Sequence, residues 1–305
     1  MFEAQQLVFY SCVSPVHMGA GQAIGVIDNP IQREVHTGHP LIAGSGLKGA
    51  VRHHFTRTWN DRKLIDRVFG PARDASDHAG AIAFSDATLV TFPVRSMRNT
   101  FVHTTCPSAL ARLKRLAGES ATWAIPTVAE GSAQTSTAGA LTNKRLLLEV
   151  FDFAAAVESN VTAIAEWLAS NALPSGPEHE FFRSKLRHDL VVLSDTDFGH
   201  FVRHATVVEA HVRIDENTGA AADGALFYTE NLPPETLLAG LVLASVERRK
   251  GADSDGLLDA ESVLTAVLND NGERRGLLDH LLQVGGDATT GRGLIVIHAA
   301  SGDRR

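Results

Sequence analysis

The 305-residue sequence is poor in cysteine and contains no long hydrophobic run. Its two cysteines, Cys12 and Cys106, lie far apart and form no C-x-x-C pair, so the sequence offers neither a disulfide framework nor a cysteine-based zinc site. Reduced thiols are typical of cytoplasmic proteins. A membrane-spanning helix would need about 18 or more consecutive apolar residues, and the N-terminal MFEAQQLVFYSCV lacks the basic start of a secretory signal. These absences predict a cytoplasmic protein without a membrane span.

Several sequence signatures of catalysis are also missing. The nucleotide-binding pattern G-x-x-x-x-G-K-[ST] fails at Lys48, because Gly49 follows where Ser or Thr is required. No G-x-S-x-G elbow or Cys/His signature is present, which argues against a hydrolase with a covalent nucleophile. Among the 14 histidines, pairs such as His36 and His39 lack further ligands at metal spacing. The sequence therefore indicates neither an NTPase nor a metal centre built from several side chains.

Charge is distributed unevenly along the chain. The net charge is −7, from 28 basic and 35 acidic residues, which argues against indiscriminate nucleic-acid binding. Basic residues nevertheless cluster within residues 45–63 and 95–115. Such clusters are most often solvated faces, but they also suit a surface that contacts a polyanion.

The pattern of elements predicts an α+β fold in one domain spanning residues 1–305. Strands are expected near 6–12, 81–90, 146–150, 190–193, 206–214, 225–228, 236–246 and 294–299, and helices near 45–59, 108–116, 157–173, 195–204, 259–269 and 275–283. Because they do not alternate strictly as βαβα, we expect an antiparallel sheet with helices on one face. Residues 117–140 are low in apolar periodicity and predict a loop or mobile insertion.

The stretch 14–55 is dense in glycine, histidine and charge. It predicts a long loop, about 14–44, followed by a helix whose start is suited to an anion: Ser45 as N-cap, Gly46 and Gly49 allowing close approach, and Lys48 and Arg52 sharing a face one turn on. The alternative is that this glycine-rich segment is only a tight connection.

Asp28 stands out within the loop, between Val26-Ile27 and Asn29-Pro30. A carboxylate there could hold a divalent metal or position a 2′-hydroxyl for attack on an RNA phosphate. The alternative is a turn-forming Asp-Asn-Pro.

A second glycine-rich element closes the chain, GGDATTGRG at 285–293. Its glycines allow positive φ, so that successive N–H groups could turn towards an anion, and Arg292 would add a charged fork for phosphate. A simple turn into the last strand is the competing interpretation.

Blocks spread over nearly the whole chain resemble the backbone RAMP subunit of type III-B CRISPR effector complexes, the Cmr complexes. They are HMGAGQAIGVIDNPIQREVHTGHPLIAGSGLKGAVR, FSDATLVTFPVRS, TCPSALARLKR, LVVLSDTDFGHFV, VRIDENTGAAADGALFYTENLPP and VGGDATTGRG. The FPVRS and ALFYTENLPP blocks favour this family over the type III-A (Csm) backbone subunit.

The resemblance implies an RRM-like, ferredoxin-like RAMP palm with finger and thumb β-hairpin insertions. Copies of such a subunit stack into a filament along a guide CRISPR RNA, together with other Cmr subunits that include the large polymerase-like one. Complementary target RNA is cut at regular intervals in a divalent-metal reaction, with Mg²⁺ the expected ion, through attack of the adjacent 2′-hydroxyl. The thumb is expected within 71–105 or within 205–230.

Carried over residue by residue, the resemblance makes Asp28 the essential acid and metal ligand, and places His17 at the family's loop histidine, with a role that supports catalysis or contacts RNA. Guide-RNA contacts are implied for Ser45, Gly46, Lys48, Gly49 and Arg52 at the helix start, and for Gly285, Gly286, Thr289, Thr290, Gly291 and Arg292 in the closing loop. This sequence departs from the family where Gly44-Ser45-Gly46 lacks a second serine and where Asn29 replaces a common leucine. A non-catalytic RNA-binding scaffold and a guide-processing RAMP nuclease remain alternatives.

Overall fold

A computed structural model describes residues 2–21, 25–72, 77–222, 224–249 and 256–301. The helices are α1 Gly44–Thr58, α2 Arg62–Phe69, α3 Pro107–Ala117, α4 Ser159–Asn171, α5 Glu180–His188, α6 Asp195–His204 and α7 Ala260–Leu268. The strands are β1 Ala4–Cys12, β2 Leu41–Ile42, β3 Ile82–Phe84, β4 Ala87–Arg95, β5 Phe101–Thr105, β6 Ser132–Thr135, β7 Arg145–Leu148, β8 Phe151–Val157, β9 Leu190–Leu193, β10 Val207–His211, β11 Phe227–Asn231, β12 Leu237–Ala244, β13 Leu281–Gln283 and β14 Leu294–Ala299.

Twelve strands form one mixed sheet. Its order is β13-β14-β1-β12-β4-β5-β9-β6-β8-β7, with β2 added to β4 and β3 to β12. All pairs are antiparallel except β5 with β9 and β6 with β8, which are parallel. The expectation of an antiparallel sheet is therefore wrong in these two places. The connection from β5 to β9 contains α3, α4 and α5, whereas the connection from β6 to β8 contains only β7.

Helices cover both faces of the sheet, not one as the sequence analysis expected. Along β1, Val8 and Tyr10 belong to a core shared with α1, α6 and α7, whereas Leu7 and Phe9 belong to a second core shared with α3, α4 and α5. All four side chains are buried. The continuous apolar run LVFY is the sequence signal of a strand buried on both sides.

Two other segments differ from expectation. Residues 117–140 include β6, which lies between β8 and β9, so at least this part of the presumed insertion is built into the sheet. Its Ala133 and Thr135 are buried, but small polar residues give no apolar alternation to reveal the strand. The helix expected at 275–283 is absent, because Asp279 has φ +63° and β13 follows to pair with β14.

The two segments considered for the thumb differ in structure. Region 71–105 carries β3, β4 and β5, which all lie within the main sheet. Region 205–230 carries β10 and most of β11, which form a separate two-stranded sheet. Only the second forms a hairpin outside the main sheet. The predicted finger is the loop at about 14–44, called the finger loop below. Residues 22–24 of this loop, and residues 73–76 and 223 of the thumb segments, lie outside the described residues. No described helix is long and apolar enough to cross a membrane.

Candidate functional site

The finger loop is held against the free edge of β11. One flank of the loop pairs through Val16 with Leu232, antiparallel, and the other through Asn29 with Thr229, parallel. Both backbone groups of Val16 bond to Leu232, at 2.9 and 3.0 Å. The N–H and C=O groups at an unpaired strand edge are available for hydrogen bonds. Two parts of the loop that are separated in sequence therefore both bind to the β11 segment.

Asp28 is anchored to this edge by its side chain. Its Oδ2 accepts a 2.7 Å hydrogen bond from the backbone N–H of Tyr228. The next residue continues the attachment, because Asn29 N–H donates to the Tyr228 carbonyl at 3.0 Å and the Asn29 carbonyl accepts from Glu230 N–H at 2.9 Å. The Asp28 side chain is otherwise exposed. It therefore has a fixed backbone and a carboxylate that faces solvent.

His17 is attached to the same edge. Its Nδ1 lies 2.7 Å from the Glu230 carbonyl oxygen. Because a carbonyl only accepts, Nδ1 carries the proton, and a neutral ring then leaves Nε2 as an acceptor. Two residues along a strand span about 7 Å, so the anchors of Asp28 and His17, at Tyr228 and Glu230, are roughly that far apart. The structure thus brings together the two residues that the sequence singled out as catalytic.

Three glycines make room for His17. A Cβ at Gly19 would lie 3.0 Å from the His17 Nε2, and one at Gly286 would lie 3.3 Å from its Cδ2. Gly285 has φ +71°, and a Cβ there would lie 2.2 Å from the His17 carbonyl oxygen. Gly286 N–H in turn donates to that carbonyl at 2.9 Å. The closing loop is therefore packed directly on His17.

Gly285→Ala is expected to destabilise the chain more than Gly291→Ala. Both glycines have positive φ, a conformation that costs an L-residue about 1–2 kcal/mol. Only Gly285 faces a backbone oxygen, since nothing lies within 4 Å of a Cβ at Gly291. Urea unfolding of the two variants should separate the shared backbone cost from the clash at His17. Equal losses in unfolding free energy would show that the closing loop does not depend on this contact.

The sequence analysis missed Glu230 as the group that supports the site. Its buried carboxylate accepts from Arg33 Nη2 at 2.5 Å, from Thr206 Oγ1 at 2.8 Å and from Ile31 N–H at 3.1 Å. Arg33 also donates to the carbonyls of Gly38 and Val202, both at 2.8 Å. The pair ties the loop after Asp28 to the strand that anchors Asp28. The sequence signal that could have identified Glu230 is that it is the only acid in the segment FYTENLPP.

The start of α1 differs from the predicted anion site. The N-cap is Ala43, and Ser45 is exposed within the first turn without capping it. The Gly44 N–H already donates to Asp86 Oδ1 at 2.8 Å. A Cβ at Gly46 would lie 2.7 Å from Met18 Cε, whereas Gly49 is open to solvent.

Met18 connects the two glycine-rich elements. Its Cε lies over Gly46, and its Sδ lies 2.9 Å from the position of a Cβ at Gly285. The helix start and the closing loop, far apart in sequence, therefore meet beside His17. This is the arrangement expected if both contact one ligand.

Lys48 is half-buried and makes no hydrogen bond or ion pair with any described residue. Its pKa is lowered, first by burial and then by the positive charges of Arg52 and Arg248. Lys48 thus has two positive neighbours and no acid paired with it among the described residues. This arrangement favours an anionic ligand at Lys48.

The two other predicted phosphate contacts have partners within the chain. Arg52 donates to Asp66 Oδ1 at 3.1 Å, and Arg292 donates to both carboxylate oxygens of Glu209 at 2.5 Å. In the closing loop, Thr289 and Thr290 are exposed, and the Thr290 hydroxyl bonds internally to the Asp287 carbonyl. The N–H groups of Thr290, Gly291 and Arg292 also bond within the loop. Several N–H groups of the predicted anion nest are thus already used for hydrogen bonds within the loop.

Asp28 can contribute to a metal site only in part. Across the described ranges, no group of three or more His, Cys, Asp or Glu side chains is placed to hold a metal ion. Magnesium is commonly held by one or two carboxylates, with substrate phosphates and water completing its shell. The exposed carboxylate of Asp28 can supply one ligand of such an ion, and the described residues supply no further group of ligands around it.

The comparisons with known proteins agree with this architecture. Residues 9–296 match the sequence model of the RAMP superfamily. The chain belongs to this superfamily and, within it, to the Cmr4 family: it is 33% identical over 297 residues to the CRISPR system Cmr endoribonuclease Cmr4 of Pyrococcus furiosus, covering 95% of this chain and 94% of the relative. A match to the endoribonuclease Csm3 of Streptococcus thermophilus, also 33% identical, covers only 24% of this chain and 39% of that protein.

Solved structures confirm the RAMP fold. Oligomeric Cmr4 from Pyrococcus furiosus has a TM-score of 0.72 at 23% identity, covering 99% of this chain and 100% of that one. A subunit of the type III-B Cmr-beta complex bound to cognate target RNA has a TM-score of 0.71 at 19% identity, covering 98% of each chain. The predicted family and fold class are therefore confirmed.

Proposed function

We propose that this protein is a guide-RNA-binding backbone subunit of a type III-B CRISPR effector and a metal-dependent endoribonuclease that cuts complementary target RNA. The observation that carries the proposal is the attachment of Asp28 and His17 to one edge of β11, beside a glycine loop packed on His17. Near full-length similarity to a Cmr endoribonuclease supports the activity. The short match to Csm3 makes the type III-A alternative less favourable.

The residues suit RNA cleavage by the neighbouring 2′-hydroxyl. The 2′-oxygen attacks phosphorus, the bond to the 5′-oxygen breaks, and a cyclic phosphate and a 5′-hydroxyl result. His17 Nε2 can accept the 2′-hydroxyl proton, since Nδ1 is engaged by Glu230. Asp28 would hold the divalent metal, which supplies positive charge to the phosphate oxygens when bound. The leaving 5′-oxygen takes its proton from solvent.

The hairpin of β10 and β11 is the part of the chain best suited to act as the thumb. Ala210 lies opposite Tyr228 in the register of β10 and β11, and exposed Val208 lies on the same face. Apolar side chains at such a surface can separate stacked bases. Partners in this proposal are guide RNA, target RNA, further copies of the chain, and the other Cmr subunits, including the polymerase-like one.

The test is cleavage of a complementary target RNA by the reconstituted complex, with Mg²⁺ and with EDTA. Regularly spaced cuts that require the metal support the proposal. A wild-type complex that binds guide and target without cutting would instead support the scaffold alternative. Cutting by the isolated chain, without the complex, would favour the guide-processing alternative.

Lys48→Met is expected to weaken guide-RNA binding and to lower the slope of log affinity against log salt by about one, as for loss of one phosphate contact. The reason is that Lys48 has no acidic partner among the described residues. Fluorescence anisotropy across a salt series would measure both quantities. Lys63→Met, at an exposed position on α2, is the matched control. An unchanged slope in Lys48→Met would remove Lys48 from the RNA surface.

A further inference from the structure

A cavity lies where β1, β13 and β14 meet the segment between α4 and α5. Its volume is about 380 Å³, within the range of roughly 300–1,000 Å³ usual for small-ligand sites. The walls are mainly apolar, with Leu173, Pro174 and Val296 buried and Phe182 partly so. Leu281, at the mouth, is 54% exposed. The cavity therefore offers an apolar slot that opens to solvent.

Glu235 is the unusual group in this slot. It is partly buried with φ +67°, and its N–H donates to the Cys12 carbonyl at 2.8 Å, which fixes the turn before β12. Its carboxylate makes no hydrogen bond or ion pair with any described residue. Burial raises its pKa to about 7, and the nearby charge of Lys185 opposes that rise only in part. No cation among the described residues is therefore paired with the Glu235 carboxylate.

The other charged groups described around the cavity are paired elsewhere and do not supply a cation for Glu235. Asp279 bonds to His298 at 2.6 Å, and Glu178 lies 3.8 Å from His179. Arg183 on α5 is engaged by Glu180 and by the Pro174 carbonyl. Lys185 is held by Asp189 and by the Asn99 carbonyl.

The remaining titratable group is the buried Cys12 thiol, whose pKa is raised by burial and by Glu235. No described residue lining the cavity is a lysine or an arginine. The slot is thus apolar and negatively charged, with one unpaired acid.

We propose that this cavity binds an aliphatic ammonium group, with the ammonium on Glu235 and the hydrocarbon chain along Leu173, Pro174 and Phe182. A carboxylate partner combined with an apolar wall matches the two parts of such a ligand, because long cationic side chains bury their methylene stems and leave only the charged end to be satisfied. A lysine side chain from a second copy and a free polyamine share this chemistry. The inference is independent of RNA cleavage, because none of the residues proposed for cleavage lines the cavity.

The test uses n-hexylammonium titrated calorimetrically into the full-length chain without RNA. We expect saturable one-to-one binding, at least tenfold weaker binding of n-hexanoate, and at least tenfold weaker n-hexylammonium binding by Glu235→Gln. Glu261→Gln, an exposed acid on α7, is the control and should bind like wild type. Affinity should rise between pH 6 and pH 8.5, since the ligand stays charged while Glu235 ionises.

Three results would overturn the proposal: no saturable binding, equal binding of hexanoate, or equal binding by Glu235→Gln. The hexanoate comparison uses wild-type protein, so the proposal stays testable even if the variant folds poorly. Sedimentation then identifies the source. If n-hexylammonium and Glu235→Gln both dissociate oligomers of the chain, the natural occupant is a lysine of a second copy. If oligomerisation is unaffected while binding persists, the occupant is a free ammonium compound.

Discussion

Asp28→Asn is expected to lower target-RNA cleavage by roughly 10²–10⁴-fold, while guide binding and complex assembly persist. The amide lacks the charge that would hold the divalent metal, whose stabilisation of the phosphate charge is worth several kcal/mol. An asparagine oxygen can still accept the Tyr228 N–H, so the finger loop should stay on β11. What the substitution removes is the negative charge. The measurement is single-turnover cleavage of labelled target RNA by complexes of equal subunit composition.

Two further variants separate charge from anchoring. Asp28→Ala loses the hydrogen bond to Tyr228 as well as the charge. If only the charge matters for catalysis, this variant should cleave at the same rate as Asp28→Asn. If the hydrogen bond stabilises the loop, its free energy of unfolding should be lower than that of Asp28→Asn. Asp152→Asn, which removes an exposed acid on β8, is the charge-matched control and should cut normally. Normal cutting by Asp28→Asn would reduce Asp28 to a structural turn and place the chemistry elsewhere.

The strands that could be predicted from the sequence are those with apolar residues of their own, because these residues indicate that the strand is buried. The closing strand, expected at 294–299, is observed as Leu294–Ala299, because its apolar residues Ile295, Val296 and Ile297 are buried. The short β6 could not be predicted, since Ser132–Thr135 is held by strands on either side and not by its own side chains. Helices on both faces could have been predicted from the continuous apolar run LVFY in β1, because such a run indicates a strand that is buried on both sides.

The site shows the same division between local and tertiary information. His17 and Asp28 could be named from the finger-loop sequence, but their joint attachment to β11 depends on a strand about 200 residues away. The charges of Arg52 and Arg292 suggested phosphate contacts, yet each has an acid partner that the sequence does not place beside it. Lys48 has no acid partner in the part of the chain that the structure describes, so its contact with phosphate stays a prediction.

Glu230→Ala is expected to lower the free energy of unfolding by about 3–5 kcal/mol, the usual effect of removing one partner of a buried ion pair. The carboxylate is 3% exposed, and its loss would leave Arg33 beside Thr206 with no counter-charge. Because Ile31 also loses its acceptor, the chain after Asp28 should loosen and cleavage should fall with stability. Urea denaturation of the isolated chain measures the first effect, and target cleavage measures the second.

The double variant Arg33→Met/Glu230→Leu distinguishes stabilisation from positioning. Replacing both members of a buried pair with apolar residues is often neutral or stabilising, so unfolding free energy should return most of the way to wild type. Cleavage should stay low, since an apolar pair leaves the Ile31 N–H without its acceptor and no longer ties the loop to β11. Glu230→Ala that unfolds like wild type would mean that solvent replaces the pair at no cost. Full recovery of cleavage in the double variant would show that the β11 backbone bonds alone position Asp28 and His17.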